Sequence, residues 1–480
     1  WMIYKNIRDN KEYLIESFNY SSDFVVVEFE SLFKISLMAC YIEGFIDRDL
    51  FDRDIYRSLV FNLKKSDDIK YFILTSKVNE ICTLEEAIDE ILHGRLVLFA
   101  EGLKKAYSVD LSKWDKRQVE QPQSEAVVRG PKEGFIEDIA VNKVLLRRKL
   151  RNSNLIFEDL QLGKQTRTTI SIAYIKGIAN QEVLKELKGR ISRINADAIL
   201  ESGYIEEFIE DAPGSILATV TETEKPDIVA AKLLEGRIAI FTDGTPHVLT
   251  VPRILVEGIM SSEDYYVRPY FGSFLRLIRI LALFMSIYLP GVFVALMLYH
   301  QEMIPTVLLI SAAGGREGVP LPITIEVILM IITLELTKES SMRLPINIGT
   351  TVNIVGALVL GQAAVEAGLI SAVTVILVSL TALSEFIVPQ LTQGIIVYRL
   401  VVTLLGGFFG IYGVTCAFLV ITMHVISLES FGIPFAWPLA PRDRSGLKDT
   451  FIRVHIKKLI YRPKVIARQN VRRQRPPKGD

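Results

Sequence analysis

Two polar side chains interrupt a long apolar run of the sequence. Gln362 and Glu366 lie within IVGALVLGQAAVEAGLI (residues 354–370), which otherwise has the composition of a membrane-spanning helix. They are four residues apart, so on a helix they share one face. An ionisable group at the centre of a span costs about 3 kcal/mol and usually faces a bundle interior or a water-filled path. The pair therefore indicates a polar route or a subunit contact inside a membrane.

Helical geometry places further side chains on the same face. At 100° per residue, Thr351, Leu358 and Gln362 fall on nearly one line, with Val355 and Glu366 beside it. Polar groups separated by a ring of Leu or Val are typical of a pore that opens by wetting a hydrophobic constriction. The small residues around them explain the spacing equally well as a tight helix-dimer face with one buried Gln bond. These five residues are candidate pore or gating positions.

Two other acids lie in apolar runs. Glu326 occurs in ITIEVILM and Glu385 in LSEFIVP. Glu326, like Gln362, is expected to face the bundle interior. Glu385 lies near the end of its run, so a position nearer the membrane interface, or a protonated side chain hydrogen-bonded to a neighbouring helix, is an equally good interpretation. Both are candidate intramembrane polar residues.

The charges are unevenly distributed although the net charge of the 480 residues is zero. Residues 1–272 are rich in charge, residues 280–427 carry few charges, and residues 442–480 hold thirteen Lys and Arg against three Asp. Three scattered cysteines do not suggest a disulfide framework or a metal cluster. None of the GxGxxG, Walker A, HExxH or GxSxG motifs is present, so we predict no enzyme, no catalytic residue, no cofactor and no metal site.

The alternation of apolar segments predicts a multidomain α+β/α protein. We expect a two-part cytosolic α/β N-terminal domain, a polytopic α-helical membrane domain and a basic cytoplasmic tail. The predicted boundaries are 1–115 for the first subdomain, 116–127 for a linker, 128–272 for the second subdomain, 273–430 for the membrane domain and 431–480 for the tail.

The membrane domain is predicted to cross the bilayer four times rather than six. Residues 277–299, 348–370 and 371–389 are spanning candidates. Residues 303–336 are interrupted by SAAGGREGVPLP, which indicates a broken or re-entrant element, and residues 395–427 form one tilted helix or two shorter ones.

Positive charge predicts the orientation. Arg268, Arg276 and Arg279 flank the first span on its N-terminal side, and the tail is basic, so both ends of the membrane domain are expected on the cytoplasmic side. Because the tail directly follows a span, anionic lipid headgroups are a better expected partner than nucleic acid.

Several motifs in order along the chain resemble one family, the A subunits of GerA-type spore germination receptors. Further short matches to the same family cover roughly residues 20–470. The motifs are VRGPKEGFIEDIAVNKVLLRRKLRN (128–152), IAYIKGIAN (172–180), FTDGTPHVLTVP (241–252), REGVPLP (316–322), RLPINIGTTVNIVGALVLGQAAVEAGLIS (343–371), SFGIPFAWPLAPRD (430–443) and LKDTFIR (447–453).

The resemblance implies a multi-pass protein of the inner spore membrane whose N-terminal domain and tail face the spore core. It implies a transporter-like B subunit and a lipoprotein C subunit as partners, with the nutrient bound mainly by the B subunit. It also implies homo-oligomers that form an ion-conducting path. A paralogous group linked to dipicolinate-release proteins shares many motifs, although SSDFVVVEFE and YIEGFIDRD are more similar to the receptor subunits. A secondary transporter and a partner-recruiting scaffold are further alternatives.

Overall fold

The chain forms two sheet-containing units, a helical unit and a C-terminal segment. The predicted linker falls largely outside the described residues, and so do Thr351, Val355 and Leu358. The computed structural model describes residues 1–64, 69–73, 78–111, 122, 125, 129–343 and 361–474.

The first unit is a five-stranded antiparallel sheet between two layers of helix. The strand order is β1-β2-β4-β5-β3. Alternate residues of β2 point to opposite faces, so Met38 and Cys40 meet α1 and α4 while Leu37 and Ala39 meet the helical stretch 48–62. The strands are β1 (Phe24–Glu30), β2 (Ser36–Ile42), β3 (Val78–Ile81), β4 (Leu96–Ala100) and β5 (Ala106–Val109). The helices are α1 (Ile7–Ser17), α2 (Arg48–Leu50), continued by a π-helical turn (Phe51–Tyr56), α3 (Arg57–Asn62) and α4 (Leu84–Leu92).

The second unit repeats this topology. Its sheet has the order β6-β7-β9-β10-β8, which is the first order with each strand number raised by five. The strands are β6 (Leu155–Leu162), β7 (Thr168–Ile175), β8 (Thr221–Thr223), β9 (Ile238–Thr242) and β10 (Val248–Val251). The helices are α5 (Ile139–Lys149), α6 (Gln181–Arg193), α7 (Ser202–Ile209) and α8 (Pro226–Leu234).

Local sequence signals account for several features of these units. β9 and β10 form an antiparallel hairpin around the Asp243-Gly244 turn, where Gly244 has a φ of 89°. Asn180 caps α6 by accepting the backbone N–H of Glu182. Thr83 and Glu86 form a capping box at the start of α4. Both sheets are wholly antiparallel. The pairs β1–β2, β4–β5, β6–β7 and β9–β10 are hairpins with short turns, whereas β2–β4, β3–β5, β7–β9 and β8–β10 pair across longer connections.

One buried arginine joins the two units. Arg147 of α5 is fully buried, and its Nε and Nη2 donate to the two carboxylate oxygens of Asp23 at 2.9 and 2.8 Å. Its Nη1 also donates to the carbonyl of Asn152. A bidentate pair with further hydrogen bonds is the geometry in which a buried charge is best compensated.

The helical unit begins with one 31-residue helix that passes uninterrupted through Pro290. The predicted break in 303–336 is confirmed, because the chain leaves helical geometry between Gly314 and Ile323. The helices are α9 (Pro269–Tyr299), α10 (Thr306–Gly314), α11 (Ile323–Met342), α12 (Gly361–Glu366), α13 (Ala372–Phe386) and α14 (Thr392–Ser427). By length and composition, α9 and the stretch Pro389–Ser427 are apolar enough to cross a membrane.

The last of these helices is a tight hairpin of two helices rather than one tilted rod. Gly410 has φ 59° and ψ −146°, a conformation that is essentially restricted to glycine. The hydroxyl of Tyr398 lies 3.3 Å from Nδ1 of His424. On a straight helix these residues would be about 39 Å apart. The two halves of α14 are therefore antiparallel.

The C-terminal segment, predicted as a basic tail with lipid headgroups as its expected partner, packs against the second unit in its described part. Ile466 and Ala467 are fully buried, and Ile466 belongs to the core of the second sheet. Arg462 donates to the carbonyl of Leu234 at 2.6 Å. Arg473 pairs with Glu235 at 3.0 Å. The basic side chains are thus partly used to hold the segment to this unit.

Candidate functional site

Four charged side chains meet between three helices of the helical unit. Arg399 of α14 donates to Glu385 of α13 at 2.9 Å and to Glu335 of α11 at 2.5 Å. Lys338, also on α11, lies 2.8 Å from Glu385 and 3.3 Å from Glu335. We call these four residues the ion-pair cluster. It holds two acids and two bases, so its formal charge is zero.

The ion-pair cluster is buried. Arg399 is 0% exposed and Glu385 is 2% exposed, whereas Lys338 and Glu335 are partly accessible, at 14% and 25%. Within the described part of the chain, Nε of Arg399 has no hydrogen-bond partner. Removing two charges from water is repaid only by close, well-directed pairing, and each contact here joins different helices or successive turns of one helix. The cluster therefore fixes α11, α13 and α14 relative to one another.

Sequence reasoning named only Glu385 of this cluster. The side chain of Glu385 is buried, and its contact with a neighbouring helix is to the guanidinium of Arg399. Two available signals were missed. Glu335 and Lys338 are three residues apart and so share a face of α11, and Arg399 is a lone cation in a long apolar run, which requires a buried acidic partner.

Glu326 fastens two helices together at their starting ends. It is fully buried in the first turn of α11, as expected for a side chain facing the bundle interior. Its Oε1 accepts the backbone N–H of Ser371, the N-cap of α13, at 2.7 Å. Its Oε2 lies 3.5 Å from Nε of Arg316 in the preceding break. Because their starts meet here and their later turns meet at the ion-pair cluster, α11 and α13 run in the same direction.

Gln362 and Glu366 have the opposite environment. Both side chains are exposed, and Nε2 of Gln362 donates to Oε1 of Glu366 at 2.9 Å. We call these two residues the exposed pair. The expectation that Gln362 faces the interior of the bundle is wrong for the single chain, because its side chain is exposed on the surface of the helical unit. The helix also ends sooner than predicted, since the chain turns at Gly368 with a φ of 65°.

The positive charges at the start of α9 are compensated by one buried acid. Asp264 is fully buried and accepts from Nε of Arg276 at 2.9 Å and from Nη1 of Arg279 at 2.8 Å. Nε of Arg276 and Asp264 are both without solvent exposure. Two of the arginines that predicted the orientation therefore also lock the second unit to the first long helix.

The described residues contain no group of three or more His, Cys, Asp or Glu side chains that could hold a metal ion. The arrangement supplies charge, hydrogen bonds and a polar surface within an apolar helical unit.

Comparison with known proteins gives a consistent result over nearly the whole chain. The family model described as Bacillus/Clostridium GerA spore germination protein matches residues 12–465. The uncharacterized membrane protein YfkQ of Bacillus subtilis is 38% identical over 97% of this chain and 92% of its own length. Spore germination protein KA of B. subtilis is 36% identical over 98% of this chain and 88% of its own length.

A solved structure is also similar. The crystal structure of the N-terminal domain of the A subunit of the Bacillus megaterium spore germinant receptor GerK3 is 30% identical, with a TM-score of 0.41. The match covers 53% of this chain and 98% of that one. The family model and the two full-length relatives decide the assignment: the chain belongs to the Bacillus/Clostridium GerA spore germination protein family.

Proposed function

We propose that this chain is the A subunit of a spore germinant receptor, and that copies of it assemble into an ion channel gated by nutrient sensing. The family and its relatives support an A-subunit-like role in spore germination. We further propose that the receptor lies in the inner spore membrane with the two sheet-containing units and the C-terminal segment facing the spore core. Its partners would be a transporter-like B subunit, which binds the nutrient, and a lipoprotein C subunit.

The single observation that carries the channel proposal is the exposed pair. Gln362 and Glu366 bond to each other but otherwise lie on the surface of an apolar unit. Lipid tails cannot solvate a carboxylate or an amide, so such groups in a membrane face water or another protein surface. In a ring of copies, this surface would line the central path or the contact between neighbours.

The ion-pair cluster complements this role. It is closed, neutral and mostly buried, so it offers little to a passing ion. It supplies instead a rigid frame of α11, α13 and α14. In our proposal, the segment that carries Thr351, Val355, Leu358, Gln362 and Glu366 moves against this frame, with Leu358 as the constriction.

Potassium release from liposomes tests the channel. The full chain is reconstituted in potassium-loaded vesicles, and efflux is compared for the wild type and Leu358→Ser. We expect little efflux from the wild type without nutrient and a clear leak from Leu358→Ser, because a hydroxyl at a hydrophobic constriction favours wetting.

Leu380→Ser is the matched control, since Leu380 is exposed on α13 and outside the proposed path. It should not leak. A well-incorporated Leu358→Ser protein that releases no more potassium than Leu380→Ser would contradict the channel mechanism, while leaving membership of the family unchanged.

A further inference from the structure

One residue of the second unit contacts both ends of the α14 hairpin. Arg253 follows β10 and is 6% exposed. Its Nη2 donates to the carbonyl of Gln390, two residues before α14 begins, at 2.9 Å. Its backbone N–H donates to Oγ of Ser430, three residues after α14 ends, at 3.0 Å. Its Nη1 donates at 3.0 Å to the carbonyl of Val220, beside β8 of the same unit.

The surroundings of both contacts are tightly packed. Ser430 also donates to the carbonyl of Thr219 at 2.7 Å, so its hydroxyl is held on two sides. A Cβ built on Gly258 would meet the side chain of Leu391 at 2.8 Å. A Cβ on Gly394 would meet the side chain of Leu217 at 2.5 Å. The second unit and the ends of the hairpin have no free space in which to slide independently.

Charged side chains surround Arg253. Burial lowers the pKa of its guanidinium, and four glutamates act electrostatically in the opposite direction: Glu257 of the turn after β10, Glu206 of α7, Glu222 of β8 and Glu210 directly after α7. A guanidinium with carbonyl acceptors on two different elements is well suited to such a position, because its donors are fixed in a planar fork. The acceptors are backbone carbonyl oxygens, so a displacement of the chain at Gln390 or Val220 changes these hydrogen bonds directly.

We propose that Arg253 is the positioning residue that couples the second unit to the α14 hairpin. A shift of the chain after β10 moves Gln390 and Ser430 together, and therefore moves both helices of the hairpin as one body. Arg399 lies seven residues into α14, about 10 Å along its axis, so the same shift reaches the ion-pair cluster. The role in signalling rests on the proposed function; the mechanical coupling does not.

Hydrogen–deuterium exchange of the full chain in lipid nanodiscs tests the coupling. Arg253→Gln removes the side-chain contacts to Gln390 and Val220 but keeps the backbone N–H. Ser430→Ala removes the acceptor at the other end. We expect each variant to speed amide exchange about tenfold at its own end, within 388–394 or 428–437, as loss of a buried hydrogen bond implies. Each should also speed exchange at the opposite end, because one residue holds both.

Arg147→Gln is the matched control. Arg147 is buried in the same unit and pairs with Asp23 of the first unit, and the described residues show no contact between it and the hairpin. It should leave exchange at both hairpin ends unchanged.

Two results would overturn the proposal. The first is an effect of each variant confined to its own end, and the second is an equal effect of Arg147→Gln. Ser430→Ala alone decides the matter if Arg253→Gln does not fold, since its cross-end effect is the critical readout. Failure of the proposed channel has a different signature, which is absence of a potassium leak in Leu358→Ser with the exchange coupling intact.

Discussion

The polar residues of the helical unit occupy two contrasting environments. In the ion-pair cluster, Arg399 and Glu385 are buried and their charges compensate each other across helices. In the exposed pair, Gln362 and Glu366 bond only to each other and face outward. On the sequence, both groups look alike, as polar letters in an apolar run.

Charge pairing, rather than polarity itself, distinguishes a structural group from a functional one in this unit. A buried and paired charge stabilises one arrangement of helices and costs most when half of it is removed. An outward-facing polar group costs the single chain little free energy. It becomes important only when water or another protein surface contacts it. Stability and function should therefore respond oppositely to substitutions at the two places.

The largest effect is expected from Arg399→Leu. It leaves Glu385 and Glu335 buried or half-buried around Lys338 alone, so we expect a loss of about 3–5 kcal/mol in the free energy of unfolding. Thermal denaturation of the full chain in detergent measures the loss. The double variant Arg399→Leu/Glu385→Leu restores a neutral cluster and should recover part of it. If the single and double variants lose the same free energy of unfolding, uncompensated charge is not the cause of the loss.

Glu206, which lies outside the helical unit, is a third case, because it is partly buried beside other carboxylates. Burial and the neighbouring carboxylates of Glu210 and Glu222 raise the pKa of Glu206 from 4.5 to about 7. The folded state therefore holds a proton that the unfolded state releases, and stability falls as the pH rises from about 4.5 to 7. Glu206→Gln removes this loss.

We expect Glu206→Gln to be on the order of 2–3 kcal/mol more stable than the wild type at pH 8, and nearly equal to it at pH 4.5. Melting temperatures of the full chain at both pH values give the comparison. Glu207→Gln on the exposed side of α7 is the control and should show no such pH dependence. A pH-independent difference for Glu206→Gln would contradict the raised pKa.

Much of the fold could be predicted from local signals. The β9–β10 hairpin, the caps at Thr83 and Asn180 and the break before Ile323 depend on neighbouring residues, so their patterns are visible in the sequence. The identical strand order of the two units could not be predicted, since it is set by which strands pair over long separations.

The site was less predictable for the same reason. Lys338 and Glu385 are 47 residues apart, and Arg399 and Glu335 are 64 apart, so no local pattern joins them. The return of Ile466 to the core of the second unit was hidden by the basic residues around it, which indicated a solvated or lipid-facing tail. Gln362 is exposed on α12, although its place in a long apolar run predicted a position inside the bundle.

A smaller effect is expected at Glu326. Glu326→Leu removes the acceptor for the N–H of Ser371 and the partner of Arg316, and we expect a loss of about 1–3 kcal/mol. Glu326→Gln keeps an oxygen at the same place, so its melting temperature should lie closer to the wild type. If Glu326→Leu and Glu326→Gln have the same melting temperature, the hydrogen bond to Ser371 does not contribute to stability.

The smallest effect on stability is expected at the exposed pair. Glu366→Gln and Gln362→Ala each remove at most an exposed hydrogen bond, so the free energy of unfolding should change by no more than about 0.5 kcal/mol. Potassium efflux should nevertheless change strongly. In the leaking Leu358→Ser background, Glu366→Gln removes the one charge of the pair, and cation flux should fall because a ring of carboxylates attracts cations. A variant that lost stability yet conducted normally would reverse the contrast between the exposed pair and the ion-pair cluster, and would place Glu366 among the structural charges instead.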